Sequence, residues 1–236
     1  MNILKPMFRI RGLLSTNGRL YLTACLLTYF LMMPAGVHAE QETDTLFVPS
    51  VRLGLDLSGF ARQLFETETL PVEFSADVEW RENFFIAAEG GWLTVDVNRE
   101  THRYQASGYF FRLGHDFSIF RGGAHNPNDV FLVSLRYGYG RVRHEAPHIV
   151  IPDPYWGDYE TSLSSEEYAA HWLEAGIGMK AEVLRNLFLG WSLRGRVRIA
   201  HTSDPLMQPY IISGFGKSDN SALMVHYSIY YRIPLH

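Results

Sequence analysis

Three groups of residues carry whatever chemistry this chain can do. The first is His144, His148, Asp153 and Asp158, whose imidazoles and carboxylates are donor types that zinc accepts. Their spacing is loose, and histidines in a loop without a fixed scaffold are expected to be solvated. The second is His171, His201 and Ser203, which offer a nucleophile and bases near segment ends, yet no motif fixes which of them meet. Neither group is assigned a catalytic or metal-binding role. No cofactor is expected: Gly214-Phe215-Gly216-Lys217 reads as a tight turn, too short to cradle a phosphate. The third group is of another kind. Asp56, Glu73, Asp77, Glu79, Glu89, Asp116 and Glu174, with Arg112, Arg136, Lys180, Arg194, Arg196, Arg198 and Arg232, stand at alternate positions opposite apolar side chains. With Arg52 and Glu182, the polar rank holds eight acids and eight bases. A rank so balanced is suited to pairing with itself and not to turning over a substrate.

What positions those charges is a series of period-two segments, the pattern of strands with two unlike faces. Val51, Leu53, Leu55 and Leu57 alternate with Arg52, Gly54, Asp56 and Ser58; Val72 to Trp80 alternates with Glu73, Ser75, Asp77 and Glu79. Phe84 to Trp92 alternates less cleanly. Tyr109, Phe111, Leu113 and Phe117 oppose Arg112, Gly114 and Asp116, and Phe131 to Tyr139 oppose Ser134, Arg136 and Gly138. The same pattern holds for Leu173 to Ala181, Leu189 to Ile199 and Leu223 to Ile233. That makes about eight strands, each near or above the roughly 9–11 residues that a tilted strand needs to cross a bilayer. Connections alternate long and short in six of seven places, as an up-and-down barrel with both ends on one side requires. Arg81-Glu82-Asn83 and Leu184-Arg185-Asn186 are the tight ones, and Ser118 to Asp129 is the exception. Trp80, Phe84, Trp191, Tyr227 and Tyr231 fit one aromatic girdle; Trp92, Tyr137, Tyr139 and Trp172 fit the other.

Composition limits the alternatives. The 236 residues are 47% hydrophobic, 14% aromatic and 19% charged, enough to bury a core, so disorder is excluded for most of the chain. A single cysteine excludes a disulfide scaffold or a cysteine-ligated zinc ribbon. Residues 1–39 read as a cleavable signal peptide: Lys5, Arg9, Arg11 and Arg19 precede the apolar run Leu20 to Met33, and Val37-His38-Ala39 offers a cleavage site. Leu22-Thr23-Ala24-Cys25 resembles a lipidation box, but most of the apolar run follows Cys25 where such a box would end it. Cleavage removes four bases and no acid, leaving 17 Lys+Arg against 25 Asp+Glu, net −8. Nucleic acid is therefore not an expected partner. Residues 40–49 follow as an extension and 50–236 as the barrel.

The runs Gly108-Tyr109-Phe110-Phe111-Arg112-Leu113-Gly114-His115-Asp116, Asn186-Leu187-Phe188-Leu189-Gly190-Trp191-Ser192-Leu193-Arg194 and Gly214 to Lys217 resemble a family of small eight-stranded outer-membrane β-barrel proteins of Gram-negative bacteria, one without an assigned function. The resemblance covers the chain from about Val48 to the end. It implies an all-β, antiparallel, up-and-down transmembrane barrel in the outer membrane, with lipid and the barrel-insertion machinery as partners.

In an eight-stranded barrel the interior is only wide enough to be filled by side chains. The polar rank then forms a salt-bridged plug and no wide pore, with acids of strands two and three facing Arg194, Arg196 and Arg198. The proline-rich run Ala146 to Trp156 offers either a partner-binding surface or a lid over the mouth. The reading is a membrane barrel with a structural or surface-interaction role, engaging a surface or periplasmic protein partner. The alternatives are a barrel enzyme acting on lipid or peptide at the external rim, and a soluble exported calyx that binds an apolar ligand. Periodicity does not separate the calyx from the membrane barrel, because both alternate. The near absence of charge on one face over eight strands favours the membrane.

Overall fold

A computed structural model describes residues 50–63, 68–121, 128–202 and 208–234. The expected leader, the extension 40–49, Cys25 and Ser203 lie outside the described residues. Eight strands, seven of them long and β1 shorter, each paired antiparallel with its neighbours, close into a ring. In chain order they are β1 (Ser50–Asp56), β2 (Thr69–Arg81), β3 (Phe84–Asn98), β4 (His102–Arg121), β5 (Val130–Ile151), β6 (Tyr159–Leu184), β7 (Leu187–His201) and, after the two-residue strands β8 (Ile211–Ile212) and β9 (Gly216–Lys217), β10 (Ser221–Pro234). The ring runs β1-β10-β7-β6-β5-β4-β3-β2, sealed where Ser50 meets Pro234 and Asp56 meets Ser228. One short helix, α1 (Ser58–Gln63), follows β1; the Asp56 carboxylate caps it by accepting from the Ser58 N–H at 2.6 Å.

The two tight turns at the end that holds the barrel's first and last strand residues are built alike. Asn83 and Asn186 both take the left-handed conformation, φ 64°, which asparagine tolerates better than most residues. In each, a glutamate four residues earlier accepts the asparagine N–H: Glu79 from Asn83 at 3.2 Å, Glu182 from Asn186 at 2.7 Å.

At the opposite end two connections are shorter than the sequence suggested, because pairing continues past the apolar belt. Only Arg99 to Thr101 joins β3 to β4, and 152–158 join β5 to β6, where longer loops were expected. Polar pairs carry the ladder outward: Asp96 faces Arg103 and Gln105, and Arg141 pairs with Glu167. From Tyr139 to Ile151, β5 runs about 40 Å beyond the upper aromatic level, against about 20 Å for Trp92 to Asn98 on β3.

Sidedness is uniform around the ring. Leu113, Ile177 and Val225 are 49%, 42% and 62% exposed, whereas Arg112 and Glu174 between them in rank are 0% and 1% exposed. The outward apolar band on β10, Leu223 to Ile233, spans about 34 Å along the strand, or about 26 Å along an axis inclined by ~40°, close to the ~25 Å belt of membrane barrels. Among the described residues no helix is long and apolar enough to cross a membrane.

Candidate functional site

The interior is stacked in three layers along the barrel axis. Phe85, Val130 and Leu132 form a small apolar floor near the tight turns. Above it lies a charged layer. Higher still, Leu93, Val95, Phe110, Val142, Tyr168 and Trp172 enclose Ile212 and Phe215 of the β8–β9 hairpin, which folds into the mouth. Gly214 makes that hairpin possible: its φ is +74°, and a Cβ there would collide with the Phe110 ring.

The charged layer is built on inward positions of seven strands. Arg112 on β4 sits at its centre, donating to Glu73 and Glu174 and lying 2.9 Å from Glu89. Arg136 bridges Glu89 at 3.2 Å and Asp116 at 2.8 Å. Arg194 reaches across the lumen to Glu89, 2.8 Å, and sideways to Glu174, 3.1 Å. Glu174 also accepts from the Arg196 Nε at 2.6 Å, so one carboxylate serves three guanidiniums. Nearer the floor, Asp77 is shared by Arg52 at 2.6 Å and Lys180 at 2.7 Å, and the Arg52 guanidinium stands 4.4 Å from the Phe85 ring centre.

At the seam, His226 joins the layer to β1. Arg196 Nη2 lies 2.7 Å from His226 Nε2, and His226 Nδ1 lies 2.6 Å from Asp56. A guanidinium only donates, so Nε2 must accept and Nδ1 carries the proton given to Asp56. The imidazole is thereby neutral. Asp56, Glu73 and His226 place one donor atom each within 4.8 Å of one another, the spacing of a metal site. The surroundings do not fit a dication. Arg112 already holds Glu73, Arg196 already occupies His226, and six acids (Asp56, Glu73, Asp77, Glu89, Asp116, Glu174) balance six bases (Arg52, Arg112, Arg136, Lys180, Arg194, Arg196).

Not every charge of the inward rank joins this layer. Glu79 serves the Asn83 turn. Arg232 lies at the floor, donating to Glu182, Asn186 and Asn128. Arg198 stands above the layer, where it donates to Tyr168 at 3.0 Å and to Ser218 and Asn220. Of the three β7 arginines expected to face acids of β2 and β3, Arg194 alone has such a contact, to Glu89. Arg196 takes Glu174 on the adjacent strand instead.

Of the histidine groups weighed in the sequence, neither of which was assigned a role, Ser203 lies outside the described residues. His144 and His148 are on β5 and not in a loop; His144 is buried facing inward, while Asp153 lies in the turn beyond the strand's end. His171 points outward beside Tyr137 and Tyr139, and His201 stacks on Tyr168. Trp172, expected in the outer girdle, is fully buried in the mouth: it stands two residues before Glu174 in the same inward phase of β6, lies against Phe215 and fills the space a Cβ of Gly138 would need.

Residues 19–236 match a family described as a domain of unknown function, DUF6048. The chain belongs to that family. Among curated proteins no sequence matches it. In structure the DUF6048 chain is similar to a major outer membrane protein from Thermus thermophilus, with 12% identity over 78% of this chain and 98% of that one and a TM-score of 0.48. It is also similar to Ail, the attachment invasion locus protein of Yersinia pestis (10% identity, 79% and 97% covered, TM-score 0.39). A third likeness is to the N-terminal β-barrel domain of OprF from Pseudomonas aeruginosa (10%, 78% and 97%, TM-score 0.34).

The second distinctive region of the DUF6048 barrel is the tip of the β5–β6 ribbon. Tyr155 and Trp156 are each 91% exposed and do not fold over the mouth. The Asp153 carboxylate accepts the N–H groups of Tyr155 at 2.8 Å and Trp156 at 3.0 Å, and Gly157 closes the turn at φ +82°. Those N–H donors hold the Asp153 carboxyl below the usual aspartate range. Two participants were missed by sequence reasoning. His226 lies on the inward side of the alternation from Leu223 to Ile233 but was left out of the charged rank, and Asn128 was read only as part of the loop from Ser118 to Asp129.

Proposed function

We propose that the protein is an integral outer-membrane barrel that conducts nothing through its axis and acts through the structure it holds beyond the membrane. The observation that carries this reading is the inversion of polarity: charged side chains are buried and paired inside a ring whose outer surface is an apolar band. Water cannot surround such a band at low free energy, whereas acyl chains can. The packed floor, the charge layer and the hairpin-filled mouth support a sealed interior. They also leave little room for the apolar ligand of a soluble calyx, because Ile212 and Phe215 occupy the apolar part of the lumen. The rim-enzyme reading has two hydroxyl–imidazole contacts, Tyr137 with His171 at 2.6 Å and Thr101 with His102 at 3.2 Å, but among the described residues no carboxylate orients either histidine.

Fractionation and conductance test the proposal together. The protein is expected in the outer-membrane fraction, released by detergent and not by salt or alkali, and the purified barrel is expected to add no conductance steps to a planar bilayer. Recovery in the soluble periplasmic fraction would overturn the membrane reading, and stable open channels would overturn the sealed lumen.

A further inference from the structure

We propose that the outer half of β6 is a docking edge for an extended, cationic segment of a partner polypeptide. The inference deepens the surface-interaction reading and rests on it. β6 pairs with β5 out to Ile151 and Tyr159, but with β7 only from Ala170 and His201 inward. Among the described residues no strand pairs with the other side of Tyr159 to Tyr168. An open edge presents unpaired N–H and C=O groups at alternate residues, and proteins usually close it with lysine or proline. The run Tyr159-Glu160-Thr161-Ser162-Leu163-Ser164-Ser165-Glu166-Glu167-Tyr168 contains neither. Two bulges interrupt its pairing with β5, so an incoming strand must follow a bent edge.

Charge selects the occupant. No Lys or Arg occurs between Arg143 and Lys180; Arg141 and Arg143 on β5 are held by Glu167 and Ser165, and Glu145, Asp158 and Glu160 are the further acids on the outward side of the ribbon or its turn. At the tip, Tyr155 and Trp156 offer exposed ring faces held in place by Asp153. Ring faces flanked by carboxylates suit the guanidinium or ammonium of a strand laid along the edge. A second copy of the same edge would set glutamates against glutamates, which is unfavourable for directly opposed strands. Anionic lipid or polyanion is repelled. A neutral sugar would use the rings but neither the edge nor the acids.

The test uses the full chain folded in detergent and a synthetic peptide of about ten residues alternating Lys or Arg with Val, a strand-forming length. Controls are the same peptide with Glu at the basic positions, the basic peptide N-methylated at alternate residues, and a neutral oligosaccharide. Binding of the basic peptide is expected to weaken with salt, to fall about tenfold in Y155A/W156A and in D158N/E160Q, and to be lost on N-methylation. No binding of the basic peptide, equal binding of the acidic or N-methylated one, binding of the oligosaccharide alone, or indifference to both double variants would each overturn the docking edge. The same preparations are checked for detergent-dependent extraction: failure there refutes the membrane reading, whereas failed binding by a barrel that passes it refutes only the docking edge.

Discussion

Replacing Glu174 by Ala should be among the most destabilising single changes available in this barrel. The side chain is fully buried and is the shared acceptor of Arg112, Arg194 and Arg196, at 3.3, 3.1 and 2.6 Å. Loss of the carboxylate is not felt equally by the three. Arg112 keeps Glu73 and Glu89, and Arg194 keeps Glu89. Arg196 keeps only neutral acceptors, the Phe215 carbonyl at 3.1 Å and His226 Nε2 at 2.7 Å. Breaking a buried pair of this kind costs about 3–5 kcal/mol, equivalent to two to four orders of magnitude in the unfolding equilibrium at ~1.4 kcal/mol per tenfold, with the attraction of Glu73 for Arg196 favouring the lower end. Two further variants separate charge from packing. Glu174→Gln retains an acceptor and should be milder. Glu174→Ala with Arg196→Ala restores the balance of charge and should unfold later than Glu174→Ala alone. Glu167→Ala, which breaks the exposed pair with Arg141, is the control and should leave the midpoint where it was. Urea unfolding in lipid vesicles, followed by the shift between folded and unfolded migration on gels, measures all four. A Glu174→Ala barrel within about 1 kcal/mol of the parent, or a double variant that unfolds no later than Glu174→Ala alone, would refute the argument that matched charge holds the lumen.

Ile177→Arg, at mid-belt between Val133 and Leu193, should cost about 2–4 kcal/mol in the same assay if that face meets lipid, whereas in a water-exposed calyx the change would be near neutral. Phe215→Ala should cost about 3–5 kcal/mol by emptying the space against Trp172, yet produce no conductance in a planar bilayer, because the charged layer beneath is intact. Asp153→Ala should raise amide exchange and proteolytic nicking at Tyr155 and Trp156 without moving the global midpoint. Since the Asp153 carboxyl titrates below its unfolded value, the order it gives the tip is complete above the ordinary aspartate range and is lost as pH falls through the folded value; exchange measured down the pH scale should show that direction.

The strand content, the barrel and the facing of most charges were legible because alternation is a local property: Arg112, Arg136, Glu174 and Arg194 are assigned to one face by their immediate neighbours alone. The two asparagine turns were legible for the same reason. The outer parts of β3 to β6 were not. There the inward rank becomes apolar, with Phe110, Val142, Tyr168, Ala170 and Trp172, while the outward rank becomes polar, with Arg103, Gln105, Arg141 and Glu167. A search for apolar side chains on the lipid face therefore stops at the membrane boundary and mistakes continuing strand for loop, as it did for His144 and His148. Trp172 was misplaced for a different reason: it stands two residues before Glu174, so the same alternation puts it inward, and residue type alone had set it in the girdle. Partner choice within the charged layer was beyond reach too. It depends on the relative heights of strands around the ring, and so on contacts such as His226 with Asp56, 170 residues apart and joined only when the barrel closes.

One wall thus encloses two opposite interiors, and what lies outside decides which. Where acyl chains touch the barrel, bringing apolar groups inward gains nothing over leaving them in lipid, so the lumen can be filled by charges provided each is matched. Where water touches it, apolar burial regains its usual driving force, and the same inward positions carry Leu93, Val95 and Trp172. The change occurs within a few residues on each strand: Arg112 to Phe110 on β4, Glu174 to Trp172 on β6, Glu89 to Leu93 on β3. Arg196 spans the junction, its Nε on Glu174 in the charged layer and its Nη1 on the Phe215 carbonyl in the mouth. The hairpin that closes the mouth is for that reason not an independent lid. Its backbone is tied to the network that fills the membrane-embedded lumen.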